Sequence, residues 1–158
     1  MKTERFTRPA TLAALLLVAL WATIACTRTV QVPAPTPVTE TIKASMLVQS
    51  GDEEADIRWF RDVVVPKGSD AWQFTETVTQ GQVESQYYAL YRAHFVDSLF
   101  GVKGQNPKFW LLFVWSDAES KWEPLPVGAD LFSLKEGHIL AWYYADTTDQ
   151  QSVPTVSP

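Results

Sequence analysis

The sequence predicts an α+β fold, β-grasp-like, in which a mixed or antiparallel sheet is covered by one helix. Three patterns carry this reading. Residues 42–48 and 57–65 alternate with a period of two, as half-buried strands do. Only one stretch keeps helical spacing, with Ala71, Phe74, Thr75 and Val78 at i, i+3, i+4 and i+7. Residues 109–115 and 138–144 are apolar on both alternating faces, which marks strands covered from two sides.

Taken in order, Ile42, Ala44, Met46 and Val48 form the apolar side of a first strand. Ile57, Trp59, Arg61, Val63 and Val65 form one side of a second. The glycine and acidic residues of 51–56 between them predict a hairpin loop. Their carboxylates do not follow the spacing of a calcium loop. Pro66 ends the second strand, Ser69 and Asp70 are helix N-caps, and Gly81 is placed to stop the helix. Strands are expected at 86–91 and 95–100, followed by a turn through 101–107. Residues 109–115 are expected at the centre of the sheet. Pro124 and Pro126 remove ladder donors and make 121–128 an edge or a loop. The final strand, 138–144, follows a tight turn at 135–137. Residues 147–158 are polar with two prolines and are expected to be disordered.

Ahead of this domain, 42–146, lies a leader. Lys2, Arg5 and Arg8 precede an apolar run over 10–25 that ends at Cys26, the only cysteine. That order is a secretory signal peptide, 1–25, with Cys26 as a lipidation site and 26–41 as a proline-rich linker carrying Pro33, Pro35 and Pro37. An uncleaved anchor or a plain secretory signal are the alternatives. Acyl chains contribute about 0.8 kcal/mol per buried CH2, so two or three hold durably. The expected location is extracytoplasmic and membrane-anchored, with the lipid anchor making the membrane a partner. The leader carries three bases and one acid, so its loss shifts the net charge from −5 to −7. No basic cluster is present, which excludes nucleic acid as a partner.

Few residues have the makings of chemistry. The two histidines, His94 and His138, are not in metal-ligand spacing. His94, Asp97 and Ser98 are the residue types of a nucleophilic triad, but on one strand Asp97 points away from the other two. No glycine-rich phosphate loop opens a helix. The reading is therefore non-catalytic, with no metal and no certain cofactor. Trp59, Trp72 and Trp142 fall on strand or helix patterns as core residues. Trp122 lies among charges before Pro124, where it could stack on a flat ligand or fold back on Trp115.

Phe95-Val96-Asp97-Ser98-Leu99-Phe100-Gly101-Val102, Phe109-Trp110-Leu111-Leu112, Pro124-Leu125 with Val127-Gly128-Ala129, and Gly137-His138-Ile139 follow one another in an order that resembles the transcobalamin-like C-terminal domain family. That family includes small exported prokaryotic domains. The resemblance covers 59–145 and implies a β domain that closes over one side of a corrinoid, while a separate helical barrel holds the other. Matched residue by residue, it places ligand contacts at Trp110, Leu112, Leu125, Val127 and Gly128, beside the candidate Trp122. The polar position after the tryptophan in the vitamin carriers is Leu111 here. The expected function is a small ligand- or protein-binding domain. The alternatives are corrinoid (cobalamin) capture, alone or with a helical partner from another chain, and a structural envelope protein.

Overall fold

The computed structural model describes residues 39–158. The leader, Cys26 and the proline linker lie outside the described residues. Among the described residues, no helix is long and apolar enough to cross a membrane.

The elements are β1 (Thr41–Gln49), β2 (Ile57–Pro66), α1 (Ala71–Thr79), β3 (Val83–Tyr88), β4 (Ala93–Leu99), β5 (Val102–Lys103), β6 (Lys108–Ser116), β7 (Lys121–Pro124) and β8 (Ile139–Asp146). Five strands form one sheet in the order β2-β1-β8-β6-β7, and β3, β4 and β5 form a second. Strands predominate over a single α-helix, which fits the α+β class. β1 and β2 are the expected hairpin, and β7 is an edge strand. The β1–β8 pairing is parallel, whereas the other pairings are antiparallel.

The centre of the large sheet is β8, not β6. Phe109 and Leu111 explain the difference. Both remain 42% exposed, so the outer face of the first half of β6 borders open space rather than a second layer. Composition alone cannot distinguish an apolar face that is covered from one kept open.

The two faces of the sheet carry separate cores. One joins Met46, Val48, Leu112, Leu140 and Trp142 to Phe74 and Val78 of α1 and to Leu99 of β4. The other joins Leu47, Phe113, Trp122 and Ala141, with Val156 packed on them. A bulge divides β2 between these cores. Asp62 has φ 52 and its N–H bonds Ser45 Oγ at 3.0 Å, with a register shift opposite Ala44 and Met46. The extra residue reverses the alternation. Trp59 therefore faces the second core while Phe60, Val63 and Val65 face the first, instead of Trp59, Val63 and Val65 sharing a side.

Helix α1 starts as its sequence predicts. The Gln73 N–H bonds Asp70 Oδ1 at 2.7 Å, and the Asp70 N–H bonds Gln73 Oε1 at 3.2 Å, a reciprocal capping box. Gln80 and Gly81 then turn left-handed, at φ 50 and 83. Burial, with the nearby Asp130 carboxylate adding to it, pushes the Asp70 carboxyl above its ordinary value. A raised folded-state value means that ionised Asp70 costs stability once the pH exceeds it. Asp70→Asn keeps the cap and removes that charge, so at neutral pH it is expected to match or exceed the parent in denaturant midpoint. Asp70→Ala is expected to lose about 1 kcal/mol. A loss on Asp70→Asn as large as that on Asp70→Ala would overturn this account.

Strands β3 and β4 begin earlier than the sequence predicts, because 89–92 form the turn itself. The Tyr91 N–H bonds Tyr88 O at 3.0 Å, and Arg92 takes φ 50. Ala89, Leu90 and Tyr91 look strand-like but make an apolar hairpin tip.

The segment expected to be disordered is instead docked. The side chain of Gln49, fully buried, donates to Thr155 Oγ1 at 2.6 Å and accepts the Thr155 N–H at 3.1 Å. Trp122 Nε1 donates to Val156 O at 2.8 Å. These partners are more than thirty residues apart in sequence. Local polarity therefore carries no sign of them.

Candidate ligand cleft

The register of β6 opens the cleft. Leu112 O accepts the Leu125 N–H at 2.9 Å on the side away from β8, and Lys108 exchanges two backbone bonds with Gln105, at 2.9 and 2.7 Å. Backbone groups of alternate residues point to the same side of a strand. Those of Trp110, between these two anchors, therefore face the same open edge. β7 pairs β6 only from Phe113 onward.

Beside that edge lies a cleft of about 930 Å³. The β3–β4 hairpin supplies Tyr88, Tyr91 and Phe95 to its lining, β6 supplies Phe109 and Leu111, and the loop after β7 supplies Leu125 and Val127. Residues 146–153 complete it with Asp146, Asp149 and Val153. The aromatic rings meet at steep angles: Tyr88 and Phe95 lie 5.1 Å apart at 77°, and Tyr91 and Phe95 lie 5.6 Å apart at 58°. Asp97, Asp146 and Asp149 contribute carboxylates, and the lining contains no lysine or arginine. The Thr148 hydroxyl and amide both donate to Asp146 Oδ1, at 2.6 and 2.9 Å, and hold this carboxyl below its ordinary value. It is an anion at neutral pH.

No family model matches the chain, and no curated protein matches it. Solved structures do. Haptocorrin in complex with Cbi superposes with a TM-score of 0.56 at 15% identity, covering 70% of this chain and 26% of haptocorrin. The fold is transcobalamin-like. The chain thus spans about a quarter of haptocorrin's length. A second structure, a candidate metal-binding protein from Ruminococcus gnavus ATCC 29149, gives a TM-score of 0.49 at 12% identity, covering 65% of this chain and 94% of that one.

Within this transcobalamin-like fold the residues singled out from sequence separate into two groups. Trp110, Leu112, Leu125, Val127 and Gly128 all border the cleft, while Trp122 does not. Trp122 is 7% exposed, in the second core, with its ring 5.2 Å from Trp115 at 71°. The tail covers it, so its charged neighbours misrepresent its surroundings. Trp110 is a pin as much as a contact. Its Nε1 donates to Val102 O at 2.9 Å, and Tyr144, packed 5.3 Å away, donates through its hydroxyl to Lys103 O at 3.0 Å. Together they fasten β5 to the large sheet. Gly128 serves close packing, since a Cβ there would lie 2.5 Å from Ala93 Cβ. Val127, 44% exposed, has the side chain most open to a ligand in this group.

Sequence reasoning missed Tyr88, Tyr91, Phe95, Phe109 and Leu111. The run Tyr87-Tyr88-Ala89-Leu90-Tyr91 was the available signal, since apolar residues in a turn are left open by design of the local geometry rather than buried. The histidines do structural work. His94 Nδ1 lies 2.6 Å from Asp130 Oδ1, its N–H donates to Asp130 Oδ2 at 2.7 Å, and its ring stacks on Trp72 at 4.2 Å. This ties β4 to the turn at Ala129–Leu131. His138 Nδ1 accepts the Lys135 N–H at 3.2 Å and steadies the turn before β8. Among the described residues, no group of three His, Cys, Asp or Glu is placed to hold a metal ion.

Proposed function

We propose that this chain is a non-catalytic binding protein whose cleft takes the apolar face of a ligand or of a protein partner. One observation carries the proposal: Tyr88, Tyr91, Phe95, Phe109, Leu111 and Val127 each keep between 42% and 60% of their surface exposed around a single concavity. Scattered exposed apolar residues are ordinary, but a contiguous set in a cleft marks a binding site. The absence of a catalytic role is supported by the uses already found for His94 and Asp130 in holding β4. The parallel β1–β8 pair beneath one helix supports a β-grasp-like reading of the fold. The leader, ending at Cys26, supports export and a lipid-held position on the outer side of a membrane.

The direct test uses the full chain in neutral detergent. Measured against a protein-free blank of the same detergent, the uncharged dye Nile red is expected to show an additional, saturable blue shift in emission that Phe109→Glu and Val127→Glu each reduce by about fivefold or more in affinity. Equal binding by parent and variants would sink the cleft as the site.

Corrinoid capture is a second reading, favoured by the shared fold with a protein solved in complex with Cbi. A cleft open on one side would cover one face of so large a ligand, so this reading takes two forms, capture by the chain alone or with a helical partner on the other face. Calorimetric titration with cobalamin and cobinamide is expected to give one-to-one heat, weakened by Leu111→Glu. No heat with either would retire solitary corrinoid binding and leave the apolar cleft to another ligand.

A further inference from the structure

We propose that the aromatic wall of the cleft recognises a small, free organic cation bearing an alkylated ammonium group, with Asp97 as its counter-charge; this rests on the cleft being a ligand site. Three observations converge on that chemistry. Phe95 meets Tyr88 at 77° and Tyr91 at 58°, so the rings present faces and edges around a corner rather than one flat stack. Their surfaces are not spent on the core, with Tyr91 60% and Phe95 49% exposed. Asp97 stands two residues after Phe95 on β4, at the bulge where β4 slips against Glu84 and Ser85, and it lines the same cleft. Phe109 packs nearby, since a Cβ built on Gly104 would lie 3.3 Å from its ring and 3.5 Å from Asp97 O. Phe95, Asp97 and Phe109 all line the concavity, and the backbone of Asp97 lies beside the Phe109 ring across Gly104.

Charge then selects among ligands. The lining offers Asp97, Asp146 and Asp149 and no lysine or arginine, so an anionic group would meet repulsion and find no charged donor. A primary ammonium is strongly hydrated and demands acceptors for three N–H groups. An alkylated ammonium spreads its charge over methyl groups that need no hydrogen bonds. It is attracted by the negative faces of aromatic rings, the recognition used in aromatic cages. The cleft combines apolar burial for the methyl groups, ring faces for the charge and an acidic lining that includes Asp97. A zwitterion such as a betaine brings its own carboxylate into the acidic rim and is disfavoured.

The test is calorimetric titration of the full chain, in a detergent without choline headgroups, with choline, its uncharged isostere 3,3-dimethylbutan-1-ol, and glycine betaine. Choline is expected to bind saturably and about tenfold or more tighter than the isostere, with betaine weaker than choline. Asp97→Asn is expected to weaken choline by about fivefold or more and leave the isostere unchanged, while Phe95→Leu weakens both. Asp97 is exposed on its strand, so its variant retains the fold. Equal affinity for choline and the isostere, or no choline heat up to about 10 mM while Nile red still binds in the cleft, would overturn the cation and leave the apolar site standing. Failure of choline, isostere and Nile red together would remove both.

Discussion

Trp142→Ala is expected to lose about 3–5 kcal/mol of folding stability, a large share of the roughly 5–15 kcal/mol that separates a domain of this size from its unfolded chain. Trp142 lies on β8, the central strand, and is 4% exposed. Its ring fills the space between the sheet and α1. Its Nε1 donates to Thr75 Oγ1 at 2.9 Å, and the same hydroxyl donates to Ala71 O at 2.8 Å. The indole therefore fixes where the helix lies as well as filling the core. Thr75→Val keeps the shape and removes the acceptor, which strands a buried N–H, and is expected to lose about 1–3 kcal/mol. Because the two residues share one bond, combining Thr75→Val with Trp142→Phe should cost less than the sum of the single changes. Urea unfolding followed by far-ultraviolet circular dichroism reads all of these. A Trp142→Ala midpoint within experimental error of the parent would show that α1 is held by something other than this contact.

That helix was the most legible part of the chain. Asp70, the stripe of Ala71, Phe74, Thr75 and Val78, and Gly81 carry its start, buried face and stop within twelve residues. The β1–β2 hairpin was legible for the same reason, since its loop and both alternations are local. What the sequence hid was long-range or geometric. β1 pairs with β8 across almost the whole domain, and no periodicity encodes a parallel partner that far away. The bulge at Asp62 depends on Ser45 in the opposite strand and reverses which side of β2 faces α1. Period-two counting has no term for such a reversal.

The cleft was legible in part, and its two halves differ in kind. The loop 124–128 announces itself through prolines that exclude a regular strand and through Gly128, where only a hydrogen fits against Ala93. The aromatic wall did not, because Tyr88, Tyr91, Phe95 and Phe109 are the residue types that fill strands and cores. Whether such rings are buried is decided by the layer that covers them, and the second core that covers Phe113 does not extend over Phe109 and Leu111 on the same side of β6. Trp122 is the mirror case. Its neighbours Lys121 and Glu123 imply exposure, yet residues 153–158 lie over it.

Deleting 153–158 is expected to lose about 2–4 kcal/mol, although this segment reads as a disordered tail. Gln49 is fully buried at the end of β1, and its carboxamide has three partners: Gly51 O at 3.1 Å, Thr155 Oγ1 at 2.6 Å and the Thr155 N–H at 3.1 Å. Two of the three leave with the deletion. The Trp122 N–H loses Val156 O, and the second core loses Val156 from its surface. Water replaces these bonds incompletely under the remaining side chains, so the loss exceeds that of trimming a free terminus. Iodide quenching separates the outcomes. In the parent, Trp122 is shielded. In the deletion it should become accessible, with a red-shifted contribution to emission that Trp122→Phe abolishes. Gln49→Ala in the intact chain should reproduce much of the stability loss, because it removes the same two bonds to Thr155 from the other side. A deletion that leaves both the unfolding midpoint and the quenching unchanged would mean that the segment contributes nothing to the second core. Trp122 would then owe its burial to Trp115 alone, through the edge-on contact at 5.2 Å.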